Sequence, residues 1–354
     1  MLRDFCIQID KAVESLQPSS ILVVTDSNVA SLVLPRLQYS EVIGRSPIIT
    51  LPPGESHKTL ESIAKIWNEL EKTEATRGSV IINVGGGMVT DTGGFAAATF
   101  KRGIRYVNVA TTLLGAVDAA TGGKTGVNYY GLKNEIGSFH KPSAVLFSSE
   151  LLTTLPHIER LSGYGEVLKT AIIADESLYK LVCDSDRLFE DSEILQNVIE
   201  RCVDIKETVV KQDPLDKGLR KILNFGHTAG HAIEELLMIK STKGRNGQIK
   251  PVAHGIAVAH GILIELILSH LVKGFDSKEM IKYRMLLREN FPGLGIDCKM
   301  IRELPSLMAH DKKNSTHGNP EFTLVEAIGK PVTGCCPSQE IIMEALDIYR
   351  DLME

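Results

Sequence analysis

The sequence predicts a layered α/β domain with a mostly parallel sheet, followed by a helical domain. Over the first 155 residues, short β-branched runs alternate with amphipathic stretches. After Pro156, apolar residues recur at three- and four-residue intervals and strand-like runs become rare. The length of 354 residues suits two domains of about 150 residues or somewhat more each. The boundary is expected near Leu155 and Pro156, giving domains 1–155 and 156–354.

Each element has its own signal. Ser20–Thr25 (SILVVT) and Ser46–Leu51 (SPIITL) read as buried parallel strands. Thr59–Thr73 reads as a helix with Leu60, Ile63, Ile66, Trp67 and Leu70 on one stripe. Ser79–Val84 is a strand running directly into Gly85-Gly86-Gly87, and a small-residue helix covers Gly93–Thr99. Tyr106–Val109 and Ala144–Phe147 are further strands. In the second half, Gly163–Ile173, Ile194–Val210, Leu219–Leu237, Val258–Val272 and Lys278–Arg288 have helical spacing, and Phe322–Ile328 is the main strand candidate. The polar, basic stretch 238–251 (MIKSTKGRNGQIKP) reads as a surface loop.

Composition narrows the function. Hydrophobic residues make up 43% and charged residues 23%, which excludes a disordered chain. No 18-residue stretch lacks charge, so no membrane span is expected. Asp4, Asp10, Lys11 and Glu14 interrupt the place where a signal peptide needs an apolar run, so a cytoplasmic protein is expected. The net charge of −5 advertises no nucleic-acid partner. Six cysteines without a CxxC pair read as thiols in a reducing compartment.

The glycine run comes first among the chemical signals. Glycines between a strand and a helix let backbone amides approach a phosphate, and the helix N-terminus adds partial positive charge. The spacing is not GxGxxG, so a tight connection is the commoner reading of such a run, and Asp91 also reads as a plain N-cap. Asp118, Lys124, Asn128, Lys133 and Asn134, with Arg102 and Arg105 upstream, would suit a phosphorylated, hydroxylated substrate. A solvated loop is the competing reading. In the helical half, His227 and His231 lie four residues apart, His254 follows after a loop, and Glu166 sits in GYGEVLK. Two histidines and a carboxylate with an open position suit a catalytic divalent metal. By spacing alone, His227 and His231 are both candidate ligands.

Taken in order, the segments GGGMVTD, GGFAAATFKRG, TTLLGAVDAATGGKTGVN, LKNEIGSF, GYGEVLK, GLRKILNFGHTAGHAIE and HDKKN resemble the 3-dehydroquinate synthase family of sugar-phosphate cyclases. The resemblance runs from about residue 20 to about residue 330. It implies a Rossmann-like NAD-binding domain, an all-α metal- and substrate-binding domain, and an active site in the cleft between them. It implies zinc or cobalt held by Glu166, His227 and His254, with His231 on the substrate side. NAD+ would meet Asp26, Asn28, Glu55, Lys58, Gly86, Gly87, Asp91, Thr111, Thr112, Leu114, Lys124, Lys133 and Thr154. The catalytic set would be His231, Lys133, Asn134, Asp118, Lys124 and Lys169. The substrate would also meet Lys206, Arg220, Asn224 and Lys312, with Arg102 reaching across a homodimer interface.

The implied reaction converts 3-deoxy-D-arabino-heptulosonate 7-phosphate to 3-dehydroquinate and phosphate. The family usually carries Glu where Ile256 stands, so a carboxylate that would tune a metal-binding histidine is expected to be absent or supplied elsewhere. Competing readings are an inosose- or valiolone-type cyclase, a metal-dependent polyol dehydrogenase, and an NAD-binding protein without turnover.

Overall fold

The computed structural model describes residues 2–130, 132–184, 188–243, 251–309 and 320–354. They form two compact units, Met1–Arg160 with Phe189–Glu207, and Leu161–Leu188 with Thr208–Glu354. The segment Phe189–Glu207 thus belongs to the first unit although it follows Pro156 in sequence.

The first unit is built on a five-stranded sheet of order β2-β1-β3-β4-β7. The strands are β1 (Ile21–Asp26), β2 (Ile48–Leu51), β3 (Val80–Gly85), β4 (Arg105–Ala110) and, after a hairpin of β5 (Lys124–Tyr129) and β6 (Leu132–Phe139), β7 (Ala144–Phe147). Every pairing in the five-stranded sheet is parallel, with Val23 opposite Ile82 and Ile82 opposite Val107. Both faces are covered, as an all-parallel sheet requires. Val23, Val80, Ile82, Val84, Val107 and Val109 face a core shared with the helix Leu2–Glu14. Leu22, Val24, Ile81 and Tyr106 face the other core, shared with the helices Leu60–Lys72 and Gly87–Thr99. The five strands read from the sequence are all present, within two residues at either end.

The chain leaves β1 toward β2 on one side and returns to β3 on the other. The carboxyl ends of β1 and β3 therefore flank a topological switch point, where ligands of open α/β sheets bind. Asp26 ends β1 and Gly85 ends β3.

The second unit is helical around His157–Ala174, His227–Lys243 and His254–Lys273. It is not all-α: β8 (Phe322–Ala327) and β9 (Lys330–Cys335) form an antiparallel hairpin. β8 is anchored where Val325 N–H donates to the buried Ser269 hydroxyl of the helix His254–Lys273. That helix is long and apolar enough to cross a membrane by length and composition, but 83% of its apolar window is buried in the protein. The six cysteines are free.

Two expected elements differ. The single helix Leu219–Leu237 is broken into a 3-10 turn, Leu219–Asn224, and the helix His227–Lys243. Gly226, at φ +78°, stands at the break, and a continuous α-helix cannot pass through the left-handed region. The expected loop 238–251 is helical as far as Lys243, and 244–250 lie outside the described residues.

His260 is fully buried in the long apolar helix. Its Nδ1 accepts from the Tyr349 hydroxyl at 2.7 Å, and its Nε2–H donates to the Pro292 carbonyl at 3.0 Å. Burial pushes its pKa down to about 4, against a smaller upward effect of the Pro292 carbonyl. The folded state refuses a proton that the unfolded chain takes near pH 6.5, so this contribution to stability is full above pH 6.5 and lost as pH falls toward 4. The loss reaches about 3 kcal/mol from the difference between the two pKa values. Denaturant midpoints at pH 7 and pH 4.5 should therefore fall more for the wild type than for His260→Leu; equal falls would refute the assignment.

Candidate metal centre and dinucleotide site

The second unit brings Glu166, His227 and His254 to one point. Glu166 lies in the helix His157–Ala174 with no exposed surface. Its Oε1 is 3.5 Å from His227 Nε2 and 3.4 Å from His254 Nε2. Its Oε2 is 2.6 Å from Lys169 Nζ, one helical turn on. Oε1 has no hydrogen-bond partner, whereas Oε2 is engaged by the Lys169 ammonium. Four ligands at about 2.1 Å around a tetrahedral ion stand roughly 3.4 Å apart. Spacing and the unsatisfied Oε1 therefore both fit a divalent cation held by these three side chains. His231 joins the cluster, with ring nitrogens of His227, His231 and His254 all within 4.8 Å of one another.

The helices reach this geometry because glycine lines their contacts. A Cβ on Gly165 would lie 2.0 Å from the Gly255 carbonyl oxygen, so the Glu166 helix touches the backbone that carries His254. Gly226 starts the His227 helix, and a Cβ there would meet Ile262 at 2.5 Å.

The imidazoles are oriented from behind. His227 Nδ1–H donates to the Phe225 carbonyl at 3.1 Å, which turns Nε2 toward Glu166. His254 Nδ1 faces the Glu234 carboxylate at 3.3 Å. Burial opposes charge on His254, but Glu166 and Glu234 together raise its pKa to about 9. Burial would likewise push Glu166 up, but the Lys169 ammonium and His227 outweigh it and hold the carboxyl well below the usual carboxylate range. Glu166 is thereby kept as a carboxylate, the form that can ligate a metal. Ile256 is fully buried, and the carboxylate beside His254 comes from Glu234. Glu234 was missed in the sequence, although His227, His231 and Glu234 stand at i, i+4 and i+7 on one helix face. Arg220, buried, and Asn224 lie in the turn just before this helix. Lys312 lies outside the described residues.

The first unit gathers a second polar set. Lys58 is buried and donates to the Asp91 and Asn134 side chains, with Glu55 4.0 Å away. Burial opposes its charge, but Asp91 and Glu55 outweigh this and raise the Lys58 pKa. Asn128 binds the Glu55 carboxylate through Nδ2 at 3.0 Å, and its Oδ1 accepts from Asn134 N–H at 2.9 Å. Glu55, Lys58 and Asp91, expected at the dinucleotide, and Asn134, expected in the catalytic set, therefore share one network. Lys206 donates to both the carbonyl and the carboxylate of Asp118, at 2.5 and 2.6 Å.

At the switch point, Asp26 caps the helix Ser27–Leu32 by accepting from Asn28 and Val29 N–H. Gly86 is the N-cap of Gly87–Thr99, and a Cβ on it would come 2.7 Å from Thr112. The buried Thr111 hydroxyl has no hydrogen-bond partner. A glycine-walled helix start beside an unsatisfied hydroxyl fits the pyrophosphate of a dinucleotide. Lys124 and Lys133 are exposed on β5 and β6, and Leu114 and Thr154 lie in the turns after β4 and β7. Arg102 is exposed, at φ +69°.

The sequence matches two family models, 3-dehydroquinate synthase N-terminal over residues 48–162 and 3-dehydroquinate synthase C-terminal over 163–314. The chain belongs to the 3-dehydroquinate synthase family. The 3-dehydroquinate synthase of Parabacteroides distasonis is 39% identical over 349 residues, covering 99% of this chain and 96% of its own. That of Thermococcus kodakarensis is 42% identical over 338 residues, covering 96% and 91%. The 2-epi-5-epi-valiolone synthase of Streptomyces hygroscopicus, solved with NAD+ and Zn2+ bound, shares the fold at a TM-score of 0.80 and 24% identity, over 95% of this chain and 92% of its own.

Gly226→Ala should strain a left-handed residue and push Ile262 aside, costing about 1–3 kcal/mol. Gly44→Ala, where a Cβ meets nothing within 4 Å, should be neutral or slightly stabilising. Thermal midpoints of the two variants check this, and equal midpoints would contradict the packing argument.

Proposed function

We propose that the protein is a 3-dehydroquinate synthase. It converts 3-deoxy-D-arabino-heptulosonate 7-phosphate to 3-dehydroquinate and phosphate, in the shikimate route to aromatic amino acids. The observation that carries this reading is the convergence of Glu166 on His227 and His254, in a chain of this family. Residues 1–155 would bind NAD+, and 156–354 the metal and substrate.

When bound, Zn2+ or Co2+ polarises the substrate's carbon-5 hydroxyl, and NAD+ takes up and returns one hydride. Glu166, His227 and His254 hold the metal, and His231 faces the substrate. Asp26, Asn28, Glu55, Lys58, Gly86, Gly87, Asp91, Thr111, Thr112, Leu114 and Thr154 hold the dinucleotide, with Lys124 and Lys133 at its substrate end. The ammonium groups of Lys124 and Lys312 and the Arg102 guanidinium hold the phosphate as it leaves. Arg102 comes from the second copy of a homodimer, which its exposure on an outward turn supports. Asp118, held by Lys206, takes part with Lys169, Arg220 and Asn224 in placing the substrate's carboxylate and hydroxyls. His231, Lys133 and Asn134 orient hydroxyls and move protons. The location proposed is cytoplasmic, which the free thiols support.

Inorganic phosphate should appear when this substrate, NAD+ and zinc are supplied, and stop when a chelator is added. NADH absorbance at about 340 nm should show no net rise, since the hydride is returned. A polyol dehydrogenase would accumulate NADH, and absence of phosphate release would defeat the proposal. His227→Ala should remove bound metal and activity together; full metal retention would defeat the ligand assignment.

A further inference from the structure

The helix His254–Lys273 is apolar and buried, yet it carries Glu265 with no exposed surface. A buried carboxylate is costly unless donors surround it. Glu265 Oε2 accepts from Gly226 N–H at 2.7 Å, and Oε1 from Ala229 N–H at 3.3 Å. Both donors are free backbone amides at the start of the helix His227–Lys243, the positive end of its dipole.

The first of these amides has a particular position. Gly226 N–H and the Phe225 carbonyl belong to the same peptide group, and that carbonyl accepts His227 Nδ1–H at 3.1 Å. A carboxylate drawing on the N–H makes the carbonyl a stronger acceptor, because charge is pushed through the amide. A stronger acceptor at Nδ1–H makes Nε2 a better electron-pair donor and fixes the ring. We propose that Glu265 is a positioning residue for His227, acting through the Phe225–Gly226 peptide to orient its imidazole and strengthen its hold on a divalent metal. The proposal rests on the ligand set given under Proposed function. His254 receives the same support by a shorter route, from Glu234 directly. The two imidazoles facing Glu166 thus each have a carboxylate behind them.

A helix cap alone would also place a carboxylate here, and the two roles separate by measurement. Glu265→Gln keeps the size and one acceptor oxygen but removes the charge. Zinc affinity of the metal-free protein is measured against a chromophoric chelator, with folding checked by circular dichroism. The wild type should bind one zinc ion, and Glu265→Gln should bind it about 10–100-fold more weakly while staying folded. A folded Glu265→Gln with zinc affinity within twofold of wild type, and only a lower thermal midpoint, overturns the proposal and leaves the ligand set intact. A wild type that binds no zinc overturns both. Should Glu265→Gln fail to fold, nitrogen-15 shifts of His227 in the zinc-loaded wild type decide. Nδ1 protonated with Nε2 on the metal supports the relay, and zinc on Nδ1 overturns it.

Discussion

A carboxylate with no exposed surface must find positive charge inside the protein, and Glu166 sets that demand for the whole second unit. Lys169 meets one oxygen from the next turn of the same helix, and two imidazoles face the other. The imidazoles come from two further helices, so three helices have to close on one another with hardly any side chain between them. Glycines at 165, 226 and 255 permit this approach. The same close approach brings Glu265 within reach of the amides that begin the His227 helix. Charge, packing and ligand direction in this unit are one problem with one solution.

The first unit solves a different problem. A parallel sheet covered on both faces leaves only its strand ends for polar work. Asp26 ends β1 and the glycine run follows β3, at the one place where the chain changes direction across the sheet. Lys58 is a buried charge here. It is neutralised by Asp91 and tied to Asn134, so the glycine helix and the β5–β6 hairpin are fastened by one ammonium group. Lys206 does the same for Asp118.

The parallel strands were legible because each is a short, mostly apolar run containing β-branched residues, a pattern that suits burial on both faces. The β5–β6 hairpin was not. Its residues read as a glycine-rich loop, since Gly126 pairs with Gly137 where a Cβ would run into backbone oxygen, and the polar side chains give no alternation. The break at Gly226 was hidden by apolar spacing that continues on both sides of it. At the site, spacing singled out His227 and His231 equally, because helical neighbours share a face. The meeting of three helices, which spacing within one helix does not report, brings His227 and His254 against Glu166. Glu265 was invisible for the same reason: one acidic residue in an apolar helix gives no periodic signal, and its partners lie 36 and 39 positions away.

The glycine contacts have a consequence for how such a centre can change. The distances between the ligand-bearing helices are set by missing side chains, and nearly any replacement at 165, 255 or 261 would drive a carbon atom into backbone. Ligand spacing is therefore closed to gradual adjustment. In the proposed centre, preference among divalent ions would then be tuned from outside the cage, by the acidic groups proposed to stand behind each imidazole, where a single exchange would alter electron donation without moving a helix.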